Sequence, residues 1–132
     1  MWLPPEHPIA TDGDMERAGV AEMIEAWGPE NMGRVQRIGS AVEQAHRAML
    51  DGPTWSLFYL GVEPAEQGKG IGHALVRLMY PRADAAGAAC YLDTFEPRNP
   101  PKYRHMGFVH VDEAVVPETD LRFWVMKRYP AT

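Results

Sequence analysis

The chain lacks the features that mark secreted or membrane-spanning proteins. It contains a single cysteine, Cys90, so no disulfide can form within the chain. No apolar run approaches the roughly 20 residues that a membrane-spanning helix needs. The N-terminus has neither the basic segment nor the apolar core of a signal peptide. We therefore expect a cytoplasmic protein that does not associate with membranes, with Cys90 as a small core residue.

The sequence is also poor in the features of nucleic-acid-binding and metal-binding proteins. Thirteen Lys and Arg residues stand against 18 Asp and Glu residues, which gives a net charge of -5. Nucleic-acid-binding domains usually carry a basic patch. No His, Cys, Asp or Glu cluster has the spacing of metal ligands. We expect no nucleic-acid partner and no bound metal, and a mildly acidic surface is compatible with cationic substrates such as amines.

The length of 132 residues suits one domain, which we expect to span residues 1–132. Its first part, residues 1–53, is predicted to be mainly helical. Apolar residues recur at helical spacing over 14–27 and 32–50, and turn-forming Gly and Pro residues follow both segments. Residues 1–5 are predicted to end a strand.

The second part, residues 54–129, alternates between strand and helix patterns. Strands are predicted at 55–62, 89–95, 108–111 and 121–129. A helix is predicted from Ile71, interrupted at Pro81, and a turn with one short helical turn over 97–105. Two strands that flank a helix favour a parallel pair, and the last two strands favour a hairpin. The sequence thus predicts an α/β (α+β) fold with a mixed sheet.

A glycine-rich loop separates the first of these strands from the helix. It consists of Gln67-Gly68-Lys69-Gly70-Ile71-Gly72. Glycines allow tight turns and close approach of a ligand to the backbone. The free N–H groups at a helix start favour phosphate binding. Lys69 would add a cation and His73 a further donor.

Two common phosphate-binding patterns do not fit this loop. A Walker A loop would require glycine at Glu63 and Ser or Thr at Gly70. A dinucleotide-binding fingerprint would require its third glycine at His73 or Leu75. The pattern that remains is Q-x-x-G-x-G, which is formed by Gln67, Gly70 and Gly72. A nucleoside-triphosphate site is therefore disfavoured.

This pattern resembles the pyrophosphate-binding motif of the GNAT superfamily of N-acetyltransferases. Two further family signatures stand in the expected order, before and after it: Leu60-Gly61-Val62-x-Pro64, and N-x-x-x-Y-x-x-x-G-F at Asn99, Tyr103, Gly107 and Phe108. The resemblance covers residues 54–129, which would form a coenzyme-A-binding core. Trp2-Leu3-Pro4-Pro5 and the Gly52-Pro53-x-Trp55-x-Leu57 segment are similar to the puromycin-acetyltransferase-like branch.

The resemblance implies a mostly antiparallel GNAT-type sheet with flanking helices and a splayed parallel strand pair. Acetyl-CoA would be the co-substrate. Its pantetheine arm would pair with the backbone of Leu60, Gly61 and Val62 and contact Asn99. Its pyrophosphate would lie against the amides of the loop, that is Gln67, Gly68, Lys69, Gly70, Ile71, Gly72 and His73.

The implied reaction is direct attack of a small-molecule primary amine on the thioester. Tyr103 matches the family's general acid, although packing against Phe108 is its alternative role. The general base stays open, because Ser56 stands where some relatives carry glutamate. Water relays, Asp93 and Glu96 are the candidates. The alternative function is a non-catalytic CoA-binding or dimerisation module.

The N-terminal part is shorter than the resemblance leads one to expect. Family domains usually begin with a strand, two helices and two more strands, whereas only 54 residues precede Trp55. Three explanations stay open: an incomplete chain or misassigned start, two helices that cover the sheet instead, or a homodimer in which two chains complete each other.

Overall fold

The computed structural model describes residues 1–132 and has a five-stranded sheet. The strands are β1 (Trp2–Leu3), β2 (Thr54–Leu57), β3 (Ala89–Thr94), β4 (Val109–Val115) and β5 (Arg122–Arg128). The helices are α1 (Asp12–Arg17), α2 (Val20–Trp27), α3 (Met32–Ala48), α4 (Ile71–Arg77), α5 (Tyr80–Ala85) and α6 (Asn99–His105). Single turns of 3-10 helix span Pro29–Asn31 and Pro64–Glu66.

The strand order is β1-β2-β3-β5-β4, and only β2 and β3 run parallel. This arrangement confirms the predicted mixed, mostly antiparallel sheet. The parallel ladder ends where Ser56 pairs with Tyr91, although β3 continues to Thr94. The two strands therefore separate at their carboxyl ends and leave an open gap between them.

The prediction of a strand over 55–62 is wrong at its far end. Strand β2 stops at Leu57. Phe58 and Tyr59 have strand-favouring side chains, but their N–H groups donate to the carbonyl of Met1 instead of to a ladder with β3. Residues beyond them have left the sheet, because the neighbouring strand diverges.

Apolar residues cover both faces of the sheet, since successive strand residues point to opposite faces. One layer packs β2 and β3 against α4 and α5, and its buried members include Trp55, Cys90, Leu92, Val76 and Ala83. Cys90 is fully buried, and burial raises the pKa of its thiol to about 11. The prediction that Cys90 is a core residue is therefore confirmed.

The second layer packs β3 and β5 against helix α3. Its buried members are Tyr91, Val116, Phe123 and Val125, and the residues against them include Ile38, Val42 and Ala45 of α3 and Met49 just after its end. Lys127 fixes the end of this helix: its buried ammonium donates to the Met49 carbonyl at 2.9 Å and to Asp51 Oδ1 at 2.6 Å. The helix is thereby held across the sheet.

The prediction of one helix over 14–27 is wrong, because Gly19 divides it into α1 and α2. Gly19 has a φ of 74°, in the left-handed region that favours glycine. Helix α1 also begins earlier, at Asp12, after a capping box in which Thr11 and Asp14 exchange hydrogen bonds. The helix predicted over 32–50 is confirmed, and it ends at Ala48.

Two C-terminal elements are longer than predicted. The 97–105 segment contains α6, a helix of two turns, because Pro100 and Pro101 lie in its first turn, where a missing N–H costs nothing. Strand β4 extends to Val115, with an irregularity in its pairing between His110 and Asp112. The predicted interruption near Pro81 is confirmed by the break between α4 and α5.

Candidate functional site

A groove of about 520 Å³ lies between the glycine loop, the segment after β2 and helix α6. Ten of the twelve predicted site residues line it: Leu60, Val62, Gln67, Gly68, Gly70, Ile71, Gly72, His73, Asn99 and Tyr103. Four residues that the sequence did not suggest also line it: Glu66, Lys102, His105 and Met106. The fold thus brings three separate sequence motifs to one cleft.

The glycine loop presents a row of free backbone donors. None of the N–H groups of residues 68–73 donates a hydrogen bond within the chain. Gly68 and Gly70 have φ values of 80° and 79°, which a residue with a Cβ adopts only under strain. Such a row of amides suits an anion with several oxygens, as a pyrophosphate is.

Two side chains of the loop have partners within the protein. Gln67 Nε2 donates to the Val62 carbonyl at 3.0 Å, which closes the loop onto the preceding segment. Lys69 Nζ lies 2.8 Å from Glu66 Oε2, and Lys69 does not line the groove. The structure therefore gives Gln67 a role in loop shape and leaves Lys69 beside the groove.

The segment after β2 offers unpaired backbone. The N–H groups of residues 60–62 donate no hydrogen bond within the chain. Leu60 and Val62 line the groove, and Leu60 and Gly61 line an apolar pocket beside it, with Leu75 and Leu78. The segment thus places free N–H groups next to the groove, to which a polar chain can add as a further strand would.

Helix α6 contributes one face to the groove. Asn99, Lys102, Tyr103 and Met106 recur at helical spacing and all line the cleft. Asn99 Nδ2 donates to Thr94 Oγ1 at 3.0 Å, which fixes the amide at the end of β3. The sequence missed Lys102 and Met106 because it predicted a turn here, and the helical period from Asn99 would have found both.

Tyr103 is held by its ring. The ring packs edge-to-face on Phe108 with 5.9 Å between centroids. Burial, and to a lesser extent the charge of Asp93, raises the pKa of the Tyr103 hydroxyl above its ordinary value. The hydroxyl is therefore protonated at neutral pH. Packing on Phe108, which the sequence offered as the alternative to an acid role, therefore occurs together with a place in the groove.

The two candidate carboxylates differ in availability. Glu96 accepts hydrogen bonds from Arg98 Nε and the Arg98 backbone N–H at 2.9 and 3.0 Å, and these bonds lower its pKa to about 2. Asp93, on β3, is half-buried, and burial raises its pKa to about 6. A proton acceptor works best when its pKa lies near the working pH. Asp93 meets this condition and Glu96 does not.

Ser56 and the remaining histidines also have defined places. The Ser56 hydroxyl is buried and lies 2.8 Å from His46 Nε2, a partner that the sequence did not suggest. His105 lines the groove and His110 is exposed on β4. No helix combines the length and apolar content that crossing a bilayer requires.

Comparisons with known proteins agree with this geometry. Residues 4–108 match the acetyltransferase (GNAT) family model. An uncharacterised N-acetyltransferase of Schizosaccharomyces pombe is 38% identical over 60 residues, which cover 46% of this chain and 24% of that protein. The chain thus spans about a quarter of the length of this curated relative.

Solved structures with the same fold include two acetyltransferases. One, from Corynebacterium glutamicum, is described as histone acetyltransferase HPA2 and related acetyltransferase. It has 26% identity and a TM-score of 0.53, over 62% of this chain and 44% of that one. The other is Arabidopsis thaliana NAA60 in complex with acetyl-CoA, with 19% identity and a TM-score of 0.51, over 59% and 49%. The family model covers most of the sequence and the sheet has the matching topology, so this chain belongs to the GNAT acetyltransferase family.

Proposed function

We propose that the chain binds acetyl-CoA in the groove and transfers the acetyl group to the primary amine of a small molecule. The observation that carries this proposal is a strip of free backbone N–H groups beside the groove, in two stretches. The stretches are residues 60–62 and residues 68–73, and Tyr103 lies across the groove from them. Family membership supplies the reaction class, and the strip supplies a place for the co-substrate.

The two ends of the strip suit the two polar parts of coenzyme A. The extended backbone of residues 60–62 would pair with the pantetheine amides as an added strand would. The amides of residues 68–73 would hold the pyrophosphate oxygens. Hydrogen bonds to charged groups are each worth about 1.5–3 kcal/mol. Several such bonds are enough to fix the nucleotide end of the co-substrate.

Tyr103 is the residue that we propose as the general acid. Its raised pKa keeps the hydroxyl protonated until a stronger base appears in the groove. The thiolate of coenzyme A becomes such a base when the thioester bond breaks. Asn99, whose amide nitrogen is already bonded to Thr94, would contact the pantetheine arm through its side-chain oxygen.

Calorimetric titration of acetyl-CoA tests the binding half of the proposal. We expect the wild-type chain to bind acetyl-CoA with micromolar affinity. The variant Gly70→Glu places a negative side chain where the pyrophosphate would lie, so it should not bind acetyl-CoA. Gly87→Glu is a matched control, because Gly87 also has a positive φ, of 60°, with open space around it and lies outside the groove. Circular dichroism checks that both variants fold.

The alternative is a CoA-binding module without catalysis, and thioester consumption separates the two functions. Release of free thiol from acetyl-CoA that depends on an added amine supports the enzyme. Tight binding without amine-dependent release supports the module. No binding in the wild-type chain, or equal binding by Gly70→Glu, contradicts the proposed site itself.

A further inference from the structure

A second cavity lies on the opposite side of the sheet from helices α4 and α5. It has a volume of about 150 Å³, less than a third of that of the groove. Its walls come from the N-terminal segment, α3, β2 and β3, and are mainly apolar: Leu3, Pro8, Ile9, Ala10, Met15, Val42, Leu57 and Phe58. The polar residues that line it are Glu43, His46, Ser56, Tyr91 and Asp93. We call it the α3 cavity.

The α3 cavity and the groove share no lining residue, but both border the carboxyl end of β3. Asp93 lies two residues beyond Tyr91, the last β3 residue that pairs with β2. The charge of Asp93 also contributes to the raised pKa of Tyr103, which lines the groove. Thr94, the residue after Asp93, accepts a hydrogen bond of 3.0 Å from Asn99 in the groove, so Asp93 in one cavity and Asn99 in the other lie at the same end of β3.

The charges that face Asp93 favour a cation. No Lys or Arg lines the α3 cavity, and its other carboxylate, Glu43, is paired with Arg47 at 2.8 Å, so Asp93 is the carboxylate left for a cation. His46 stacks on Tyr91 with 4.0 Å between ring centroids, and burial lowers its pKa to about 4, so it is neutral at neutral pH. The other ionisable groups near Asp93 are the hydroxyls of Tyr91 and Tyr103, whose pKa values are both raised by burial.

Three buried polar side chains, His46, Ser56 and Tyr91, also line the cavity. His46 Nε2 and the Ser56 hydroxyl form a hydrogen bond of 2.8 Å, so these two side chains already satisfy each other. The Tyr91 hydroxyl is buried and forms no hydrogen bond of good geometry, but its interaction with the Asp93 carboxylate shifts the pKa values of both groups. A guest with a hydrogen-bonding head would therefore find both the Tyr91 hydroxyl and the Asp93 carboxylate in the α3 cavity.

We propose that the α3 cavity binds the acceptor, a primary amine with a compact apolar body, and that Asp93 accepts the ammonium proton. This inference rests on the proposed acetyl transfer. The apolar walls take the body of the amine, and the Asp93 carboxylate attracts its charged head. Amino acids are rejected, because no cation in the cavity can pair with their carboxylate.

The proposed step balances in protons and bonds. The ammonium gives one proton to the Asp93 carboxylate, and the neutral nitrogen forms a bond to the acetyl carbon while the carbon–sulfur bond breaks. The sulfur takes the Tyr103 proton. The new amide nitrogen then loses its second proton, which restores the Tyr103 hydroxyl, and Asp93 releases its proton to solvent.

Two glycines of α3 allow a matched test of the location. Gly39 lines the α3 cavity and Gly33 does not, and a side chain at either position meets open space. Leucine forms helix better than glycine, so Gly39→Leu and Gly33→Leu should both fold. Benzylamine is titrated by calorimetry into each chain saturated with coenzyme A. We expect Gly39→Leu to weaken benzylamine binding at least tenfold and Gly33→Leu to leave it unchanged.

Phenylglycine, which is benzylamine with an added carboxylate, is the matched ligand. It should bind the wild-type chain at least tenfold more weakly than benzylamine. No benzylamine binding by the wild-type chain, equal effects of the two leucine variants, or equal binding of phenylglycine would each overturn the inference.

Asp93→Asn tests the proton transfer, with benzylamine acetylation followed as thiol release. The variant should lose about 100-fold or more in kcat/KM for the amine at pH 7, the usual size of a general-base effect. Its kcat/KM should rise about tenfold per pH unit as free amine appears, whereas the wild-type value is level above its acidic limb. The affinity for acetyl-CoA should not change.

The outcomes separate this inference from the function on which it rests. Failure of acetyl-CoA to bind the wild-type chain contradicts the proposed function. A different outcome contradicts only the role of Asp93: the chain binds acetyl-CoA and acetylates the amine normally, but the pH profiles of Asp93→Asn and wild type coincide.

Discussion

Replacement of Tyr103 by phenylalanine separates a chemical role from a packing role. The substitution removes one oxygen and keeps the ring that contacts Phe108 at 5.9 Å between centroids. The Tyr103 hydroxyl forms no hydrogen bond that shifts its pKa. Its loss should therefore cost little folding free energy. If the hydroxyl protonates the leaving thiolate, however, its loss should slow the reaction.

The expected loss can be worked from the size of general acid catalysis. A positioned acid contributes about 10²–10⁴-fold, and each factor of ten corresponds to about 1.4 kcal/mol of activation free energy. Tyr103→Phe should thus lower kcat by at least about 100-fold, or about 3 kcal/mol. The dissociation constant for acetyl-CoA should stay within about twofold, because backbone groups hold the co-substrate.

Tyr80→Phe is the matched control, with the opposite pattern of effects. The Tyr80 hydroxyl donates to the Met106 carbonyl at 2.6 Å, so its removal should lower the free energy of unfolding by about 0.5–1.5 kcal/mol. It should leave kcat nearly unchanged. The assay is release of free thiol from acetyl-CoA at saturating amine, and urea unfolding measures stability. A Tyr103→Phe chain with wild-type kcat would refute the proposed acid.

Three further predictions concern stability and reactivity. Asp84 accepts two hydrogen bonds from Arg128, of 2.8 and 3.0 Å, and these bonds lower the pKa of the Asp84 carboxyl. Asp84→Asn should therefore lower the Tm above about pH 4. The difference in Tm should vanish below that pH, as the wild-type carboxyl is protonated. Gly19→Ala should lower the free energy of unfolding by about 1 kcal/mol, because φ at Gly19 is 74°. Gly33→Ala, inside α3, should raise it by about 0.5–1 kcal/mol. Urea unfolding measures both changes. Cys90, with a pKa of about 11, should react with a thiol reagent at least about 100-fold more slowly in the native chain than in the unfolded one.

The motif residues could be predicted from the sequence because their chemistry depends on local backbone. Gly70 has a positive φ directly before a helix, and glycine is the residue that adopts this conformation most readily, so the sequence alone indicates the turn. The spacing of Asn99 and Tyr103 is one helical turn, which places both on one face whatever surrounds them. Family membership and the mixed sheet followed from these local patterns and were confirmed.

The features that the sequence could not supply are those set by distant contacts. Phe58, Tyr59 and Val62 have strand-favouring side chains, but the pairing of β2 with β3 ends at Ser56 and leaves them outside the sheet. The bond between His46 and Ser56 joins a helix to a strand, and no spacing rule signals it. The pKa of Asp93 depends on what covers β3, so the choice between Asp93 and Glu96 needed the fold.

The two cavities divide the proposed functions between two parts of the chain. Every residue that lines the groove lies between Leu60 and Met106, within the segment that carries the family motifs. The α3 cavity instead takes walls from residues 3–15 and from α3, and shares only the strand ends with that segment. Changes in α3 can therefore alter the choice of amine without altering the co-substrate site. Because the charge of Asp93 still reaches Tyr103 across the gap, substitutions at Asp93 should also shift the pKa of the proposed acid downwards.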